Sequence, residues 1–295
     1  MTKDEYAKLL VQINGGNEEL GAEVFESRHR REQEVTATIL EKYWGIICSG
    51  DAIHQFYTDT IREVSDRLTA STPQLLTLFL HWHILSASKH YAAFDLLKRG
   101  YYFESIALAR TLWETALTLA GLQRKIVSFE ELFGGRRESG TELKQREMMK
   151  LVKQADSRIQ KHLLWENPEL TTKSKAAVNV YVHLLNQANH KSNLGMAINI
   201  KLAERGEPIP ILPKFNAMQV EVSWNNLFIA TWCLMLTLAY LDILLPNKSS
   251  AWWNRYKSTL LSFEELNKVP PNSVLSGFGD VVNKVFKIPG LPYPI

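Results

Sequence analysis

Arg110 and Glu114 are the residues of this sequence best suited to binding an anion. They lie in the apolar stretch ALARTLWETALTL, residues 107–119. Residues four apart share one face of an α-helix, so the two side chains are expected to form an ion pair. A guanidinium that is fixed by a carboxylate and faces a cavity holds phosphate or carboxylate. The alternative is a structural ion pair that neutralises charge among apolar residues, and the pattern leaves both open.

A second set of polar residues lies in VNVYVHLLNQANHKSN, residues 178–193. At helical spacing they form one stripe, which consists of Asn179, His183, Asn186 and His190. The stripe contains no Lys, Glu or Asp, which favours a partly buried hydrogen-bonding surface over a solvated helix face. Because histidine titrates near neutral pH, His190 is a candidate general acid or base. We expect the stripe and the Arg110–Glu114 pair to face each other across a shared polar pocket.

Two further histidines share one face of the predicted helix that contains HWHILSASKHYAAFDLL, residues 81–97. His83 and His90 stand near Trp82 and Tyr91, an arrangement that is more typical of a core or an interface than of a catalytic site. Among these histidines, His90 is kept as a ligand-binding candidate, together with Asn179 and His183.

No metal or cofactor site is predicted. His183 and His190 are seven residues apart, about 10 Å along a helix axis, which is too far for both to bind one zinc ion. The sequence lacks HExxH, and it lacks the two Glu-x-x-His motifs that a di-iron bundle requires. It also lacks the glycine-rich phosphate loops and the G-x-S-x-G nucleophile turn.

Two segments resemble the signatures of uncharacterised bacterial helical proteins that are similar to HEPN-type domains. The first is AFDLLKRGYYFESIALARTLWETALTL, residues 93–119, and the second is NQANHKSNLG, residues 186–195. HEPN-type domains are helical bundles that include metal-independent ribonucleases of toxin–antitoxin and phage-defence systems. Their nuclease pattern is an arginine, a polar residue, three further residues and a histidine. Asn186 and His190 match the last two positions, whereas Leu185 occupies the place of the arginine.

The resemblance implies a HEPN-like core and a catalytic set of His190, Asn186, Arg110 and Glu114. Arg110 would supply the missing positive charge from a neighbouring helix, oriented by Glu114. The resemblance also implies an RNA or nucleotide ligand, and a homodimer in which two sites face each other.

The elements that position these residues are all predicted to be helices, because apolar residues recur at i, i+3, i+4 and i+7 and strand-like alternation is hard to find. Lys98-Arg99-Gly100 is a helix stop, and the two SFEEL segments each carry a capping box, Ser128 with Glu131 and Ser262 with Glu265. Helices are expected near 3–14, 18–47, 51–70, 73–99, 102–124, 129–133, 141–163, 171–192, 194–204, 217–245, 249–261 and 273–286.

These helices are expected to form one continuous all-α domain. The bundle occupies 71–295, and residues 1–70 add an N-terminal helical arm or layer. Its centre consists of 73–99, 102–124 and 171–192, with 217–245 packed across them. The proline-containing end, KIPGLPYPI, is expected to form an extended tail.

Composition limits the class of partner. The chain has 295 residues, 45% of them hydrophobic, and a net charge of +3, which indicates a globular protein without a strong field toward nucleic acid. No DNA-binding motif is present, and the uncharged run 227–241 is too short for the ~20 residues of a membrane span. Cys48 and Cys233 are expected to be core thiols, and the N-terminus lacks a secretory signal, so a cytoplasmic location is predicted.

These patterns favour a helical binding or interaction protein with a semi-buried Arg/Glu/Asn/His pocket. The resemblance supplies the alternative, a metal-independent ribonuclease or nucleotide-acting protein of the toxin or phage-defence class. The residues alone leave open whether the protein is an enzyme.

Overall fold

A computed structural model gives the fold. It describes residues 2, 5, 8, 18–66, 74–133, 145–189, 213–240, 254–258, 261 and 278–287. Within these ranges the regular secondary structure is helical and no strand is present, so the predicted all-α bundle is confirmed. The predictions for 194–204, for the Ser262 capping box and for the tail lie outside the described residues, as does His190.

Nine α-helices can be traced along the described part of the chain. They are α1 Glu18–Lys42, α2 Trp44–Ser65, α3 Gln74–Lys98, α4 Tyr102–Gln123, α5 Phe129–Phe133, α6 Gln145–Gln160, α7 Thr172–Asn189, α8 Ala217–Leu238 and α9 Phe278–Val281. Helices α6 and α9 each continue into one π-helical turn, Lys161–Trp165 and Val282–Phe286. Residues 254–258 are also helical.

Helix α4 is the centre of the bundle, with α3, α7 and α8 packed around it. This arrangement confirms the predicted bundle centre. It follows from composition, because α4 and α8 are apolar on nearly all sides and must be enclosed by other helices. From Leu227 to Ala239 every residue is buried. Within the described residues, no helix combines the length and the apolar character that a membrane span requires.

Local signals fix where α3 ends and where α5 begins. Gly100 adopts a φ of 87°, and the amides of Gly100 and Tyr101 donate to the carbonyls of Leu97 and Leu96, which closes α3 in a Schellman motif. The reciprocal capping box at α5 forms as predicted. The Ser128 amide donates to Glu131 over 2.7 Å, and the Glu131 amide donates to the Ser128 hydroxyl over 3.2 Å.

Two sequence expectations are wrong. The first long helix is expected to reach 47, but α1 ends at Lys42 and α2 begins at Trp44, with Tyr43 between them. The Tyr43 amide still donates to the Ile39 carbonyl over 2.8 Å, so the break is local, and the Tyr43 ring packs against Phe215.

The second wrong expectation concerns the cysteines. Cys233 is buried as expected, whereas Cys48 is exposed, because it lies on the outer face of α2.

Candidate functional site

Arg110 and Glu114 form the expected ion pair on α4. The Arg110 Nε donates to the Glu114 Oε1 over 2.8 Å. The Arg110 side chain is 23% exposed and the Glu114 side chain 50% exposed. The apolar neighbours in the sequence predict a buried pair, but the structure leaves both side chains partly exposed to water. Glu114 is exposed because α4 leaves it between two cavities that are open to solvent.

A small cavity of about 160 Å³, here called the Arg110 cavity, separates α4 from α6 and α7. Its polar lining residues come from three elements. They are Arg110 and Glu114 of α4, Gln160 of α6 and Asn186 of α7. The apolar lining consists of Trp113, Leu117, Leu164, Val182 and Leu185. The fold thus brings Arg110 and Asn186, which are 76 positions apart in the sequence, to one cavity.

One guanidinium nitrogen of Arg110 lacks an acceptor. Within the described chain its Nη1 is out of contact with solvent and has no hydrogen-bond partner. A polar group in that position costs about 1–3 kcal/mol, and more when it is charged. The Asn186 side chain makes no hydrogen bond to another described residue either. An acceptor that entered the Arg110 cavity would therefore replace no hydrogen bond between these groups and other described residues.

An aromatic cluster fixes the floor of the Arg110 cavity. The Trp113 ring lies edge-on to Tyr181 at 5.2 Å between centroids, and it contacts Phe278 and Phe286 at 5.7 and 5.4 Å. The Tyr181 hydroxyl donates to the Asn226 carbonyl over 2.9 Å, which ties α7 to α8. Rings packed in this way have little freedom to move, so the residues above them hold a constant spacing.

A larger cavity of about 450 Å³, here called the Asp156 cavity, adjoins the first. The two share Glu114, Leu117 and Gln160, so they form one groove along α4. The other polar and aromatic lining residues are Trp82 and Lys89 of α3, Thr111, Thr115 and Thr118 of α4, and Asp156 of α6. Burial, with a smaller contribution from the Glu114 charge, raises the pKa of the Asp156 carboxyl.

Three other predicted site residues that the structure describes, Asn179, His183 and His90, do not line this groove. Asn179 and His183 are exposed on α7. His90 is buried between other helices, where its ring nitrogens lie 3.0 Å from the Thr231 hydroxyl and 3.4 Å from the Gly50 carbonyl. The structure therefore accounts for His90 as a satisfied core residue, and the position of His190 stays a prediction.

Asp156 and Lys89 line the groove but are not among the site residues predicted from the sequence. A signal for Asp156 exists, since Val152, Ala155 and Ile159 mark the inner face of α6 and the acid lies among them. Lys89 gives no comparable signal, because its neighbours on α3 are mixed in character. Among the described residues, no group of three or more metal-ligating side chains comes together.

Comparisons with known proteins give no family for the chain. No protein-family model, no curated protein and no solved structure matches it.

Proposed function

We propose that this protein is a binding protein for a small anionic ligand, which carries a carboxylate or phosphate group and occupies the Arg110 cavity. The observation that carries the proposal is the buried Arg110 Nη1 without an acceptor among the described residues. A guanidinium presents its donors in a planar fork that matches both anions. Glu114 holds only the Nε side of that fork.

The size and lining of the Arg110 cavity suit such a group. Cavities of about 150 Å³ hold a molecule as large as benzene, so 160 Å³ admits a phosphate or a short carboxylate. The Asn186 amide group can donate to a second oxygen of the anion. Trp113, Leu164 and Leu185 exclude water from the other sides, which strengthens a charged contact.

The test is titration of the purified protein with inorganic phosphate and with acetate, followed by calorimetry. We expect saturable binding that Arg110→Gln weakens by about 10- to 100-fold, because a hydrogen bond to a charged group contributes about 1.5–3 kcal/mol. Arg110→Lys keeps the charge but loses the fork, so it should recover only part of the affinity.

Arg99→Gln is the matched control. Arg99 forms an ion pair with Asp95 over 3.0 Å, also four residues apart, and it does not line the Arg110 cavity. Its loss should leave anion binding unchanged. Equal affinity in wild type, Arg110→Gln and Arg99→Gln, or no binding at all, would contradict the proposal.

A second candidate function is the metal-independent ribonuclease of the HEPN type. What favours it is that Arg110 and Asn186 line one cavity, because Arg110 would have to supply from a neighbouring helix the charge that the nuclease pattern places where Leu185 stands. In this proposal Arg110 neutralises the scissile phosphate and His190 transfers the proton.

Cleavage of single-stranded RNA in the presence of a chelator tests the ribonuclease proposal. Activity should fall by at least about 100-fold in His190→Ala, the magnitude typical of a lost general acid or base. Arg110→Ala should lower it as well, and His183→Ala, in an exposed residue of the same helix as Asn186, should not. Cleavage that persists in both His190→Ala and Arg110→Ala would contradict the ribonuclease proposal.

A further inference from the structure

The Asp156 cavity presents mainly hydrogen-bond acceptors. Three threonines line it from α4, and each gives its hydroxyl hydrogen to its own helix. Thr111 donates to Leu108 over 2.9 Å, Thr115 to Thr111 over 2.7 Å and Thr118 to Glu114 over 2.9 Å. A hydroxyl whose hydrogen is used in this way offers only lone pairs to a ligand. The threonine side of the cavity is therefore an array of acceptors and methyl groups.

Two carboxylates extend this array of acceptors. The Asp156 side chain makes no hydrogen bond or ion pair with a described residue. Glu114 uses Oε1 for Arg110, and its second oxygen has no bond within the described residues. Carboxylates in a half-buried position are stabilised by a donor that carries positive charge. Lys89 belongs to the same cavity but forms no ion pair with either acid.

From this arrangement we infer that the ligand is a zwitterion: its anionic group binds Arg110, and an amine at its other end lies between Asp156, Glu114 and the threonine oxygens. The inference rests on the proposed function and extends it to the class of ligand. Arg110 supplies positive charge in the Arg110 cavity, whereas the Asp156 cavity is lined by two acids, Glu114 and Asp156, and one cation, Lys89, so that its formal charge is negative. A ligand with no net charge and two opposite ends matches that pattern.

The shared wall permits one molecule to occupy both cavities. Glu114, Leu117 and Gln160 line both, so no helix separates them. Their volumes, about 160 and 450 Å³, together fall in the range of small-molecule sites. Glu114 then has two roles, since it orients Arg110 through one oxygen and accepts from the amine through the other.

Matched pairs of probes distinguish the contribution of the amine to the affinity from that of the anionic group. Ethyl phosphate is compared with 2-aminoethyl phosphate, and butanoate with 4-aminobutanoate, by calorimetric titration of the full chain. We expect the amine-bearing member of at least one pair to bind about tenfold more tightly, as for a charged hydrogen bond. Asp156→Asn should remove this advantage and leave the affinity of the parent anion within about twofold, a change of less than about 0.5 kcal/mol.

Two further variants complete the design. Thr115→Val is nearly isosteric and removes one acceptor, so it should reduce the advantage of the amine in part. Asp95→Asn removes an acid outside both cavities and should change nothing.

The outcomes distinguish the two claims. Equal affinity within each pair, or an amine advantage that survives Asp156→Asn, overturns the zwitterion inference while anion binding at Arg110 stands. Failure of all four probes to bind overturns the proposed function, and the inference fails with it.

Discussion

At the scale of single residues, Arg110 is expected to contribute to ligand binding but little to the stability of the fold. Its partner Glu114 is half exposed, so the ion pair is screened by solvent. The Nη1 atom has been desolvated without an acceptor in the described chain. These two effects oppose each other, and the guanidinium therefore contributes little net free energy to folding. An arginine whose main role is to stabilise the fold would be expected to have a hydrogen-bond acceptor for each buried N–H group.

Arg110→Ala should change the free energy of unfolding by less than about 1 kcal/mol, as for a solvent-screened pair. Arg124→Ala is the contrasting variant, because the Arg124 guanidinium donates to the carbonyls of Lys284, Val285 and Lys287. The variant removes the hydrogen bonds that join the end of α4 to the last π turn, although Phe286 still packs against Trp113, and it should cost about 2 kcal/mol. Urea unfolding monitored by circular dichroism measures both. A loss at Arg110 as large as that at Arg124 would show that Arg110 is structural.

At the scale of helices, the groove depends on how closely α4 and α6 approach. Gly121 permits that approach. A Cβ at this position would lie 2.7 Å from Cγ1 and 3.0 Å from Cδ1 of Ile159, a buried residue of α6. Ile159 also lines the Asp156 cavity. The contact between Gly121 and Ile159 thus sets the spacing of the helices on which the two carboxylates stand.

Gly121→Ala should destabilise the protein by about 1–3 kcal/mol through overpacking. Ile159→Ala alone should cost about 2–5 kcal/mol, since it empties a buried site. In the double variant the new methyl group occupies part of that space, so the combined loss should be smaller than the sum by more than about 0.5 kcal/mol. Chemical denaturation of the four proteins gives this coupling. Strict additivity would mean that α4 and α6 do not touch at these residues.

The elements were predictable from sequence to the extent that their signals are local. The Ser128–Glu131 box and the stop at Gly100 involve only near neighbours in the chain, and both form as expected. The pairing of Arg110 with Glu114 is local too. The positions of the cavities are not set by local signals, because the cavities form where α3, α4, α6 and α7 leave space between them. Asp156 and Lys89 belong to the groove for that reason, and periodicity within one helix does not reveal it.

At the scale of the whole molecule, two buried histidines couple stability to pH. His83 lies against Tyr57, with ring centroids 6.2 Å apart, and against the Thr237 hydroxyl. His90 contacts Thr231 and the Gly50 carbonyl, and His54 is the nearby titratable group. Burial lowers the pKa of His83 to about 3 and that of His90 to about 4. Neither imidazole is protonated in the folded protein near neutral pH.

The sign of the pH effect follows from proton uptake. In the unfolded chain both histidines titrate near pH 6.5, so below about that pH the unfolded state binds protons that the folded state does not. The stability due to the neutral imidazoles is fully present above about pH 6.5 and is lost as the pH falls toward about 4. Each histidine lowers the free energy of unfolding by about 1.4 kcal/mol per pH unit in that window, so the pair should lower it by about 3 kcal/mol per unit once the pH is well below about 6.5.

Urea unfolding at intervals from about pH 7.5 to about pH 5 measures this slope. His83→Gln and His90→Gln keep a neutral polar side chain but cannot titrate, so each should reduce the slope by about half, whatever its own stability at neutral pH. His162→Gln, in an exposed residue of the π turn after α6, is the control and should leave the slope unchanged. If the free energy of unfolding of the wild type did not change across this window, the two rings would have to be protonated inside the fold. That result would contradict the burial of both histidines between α3, α2 and α8.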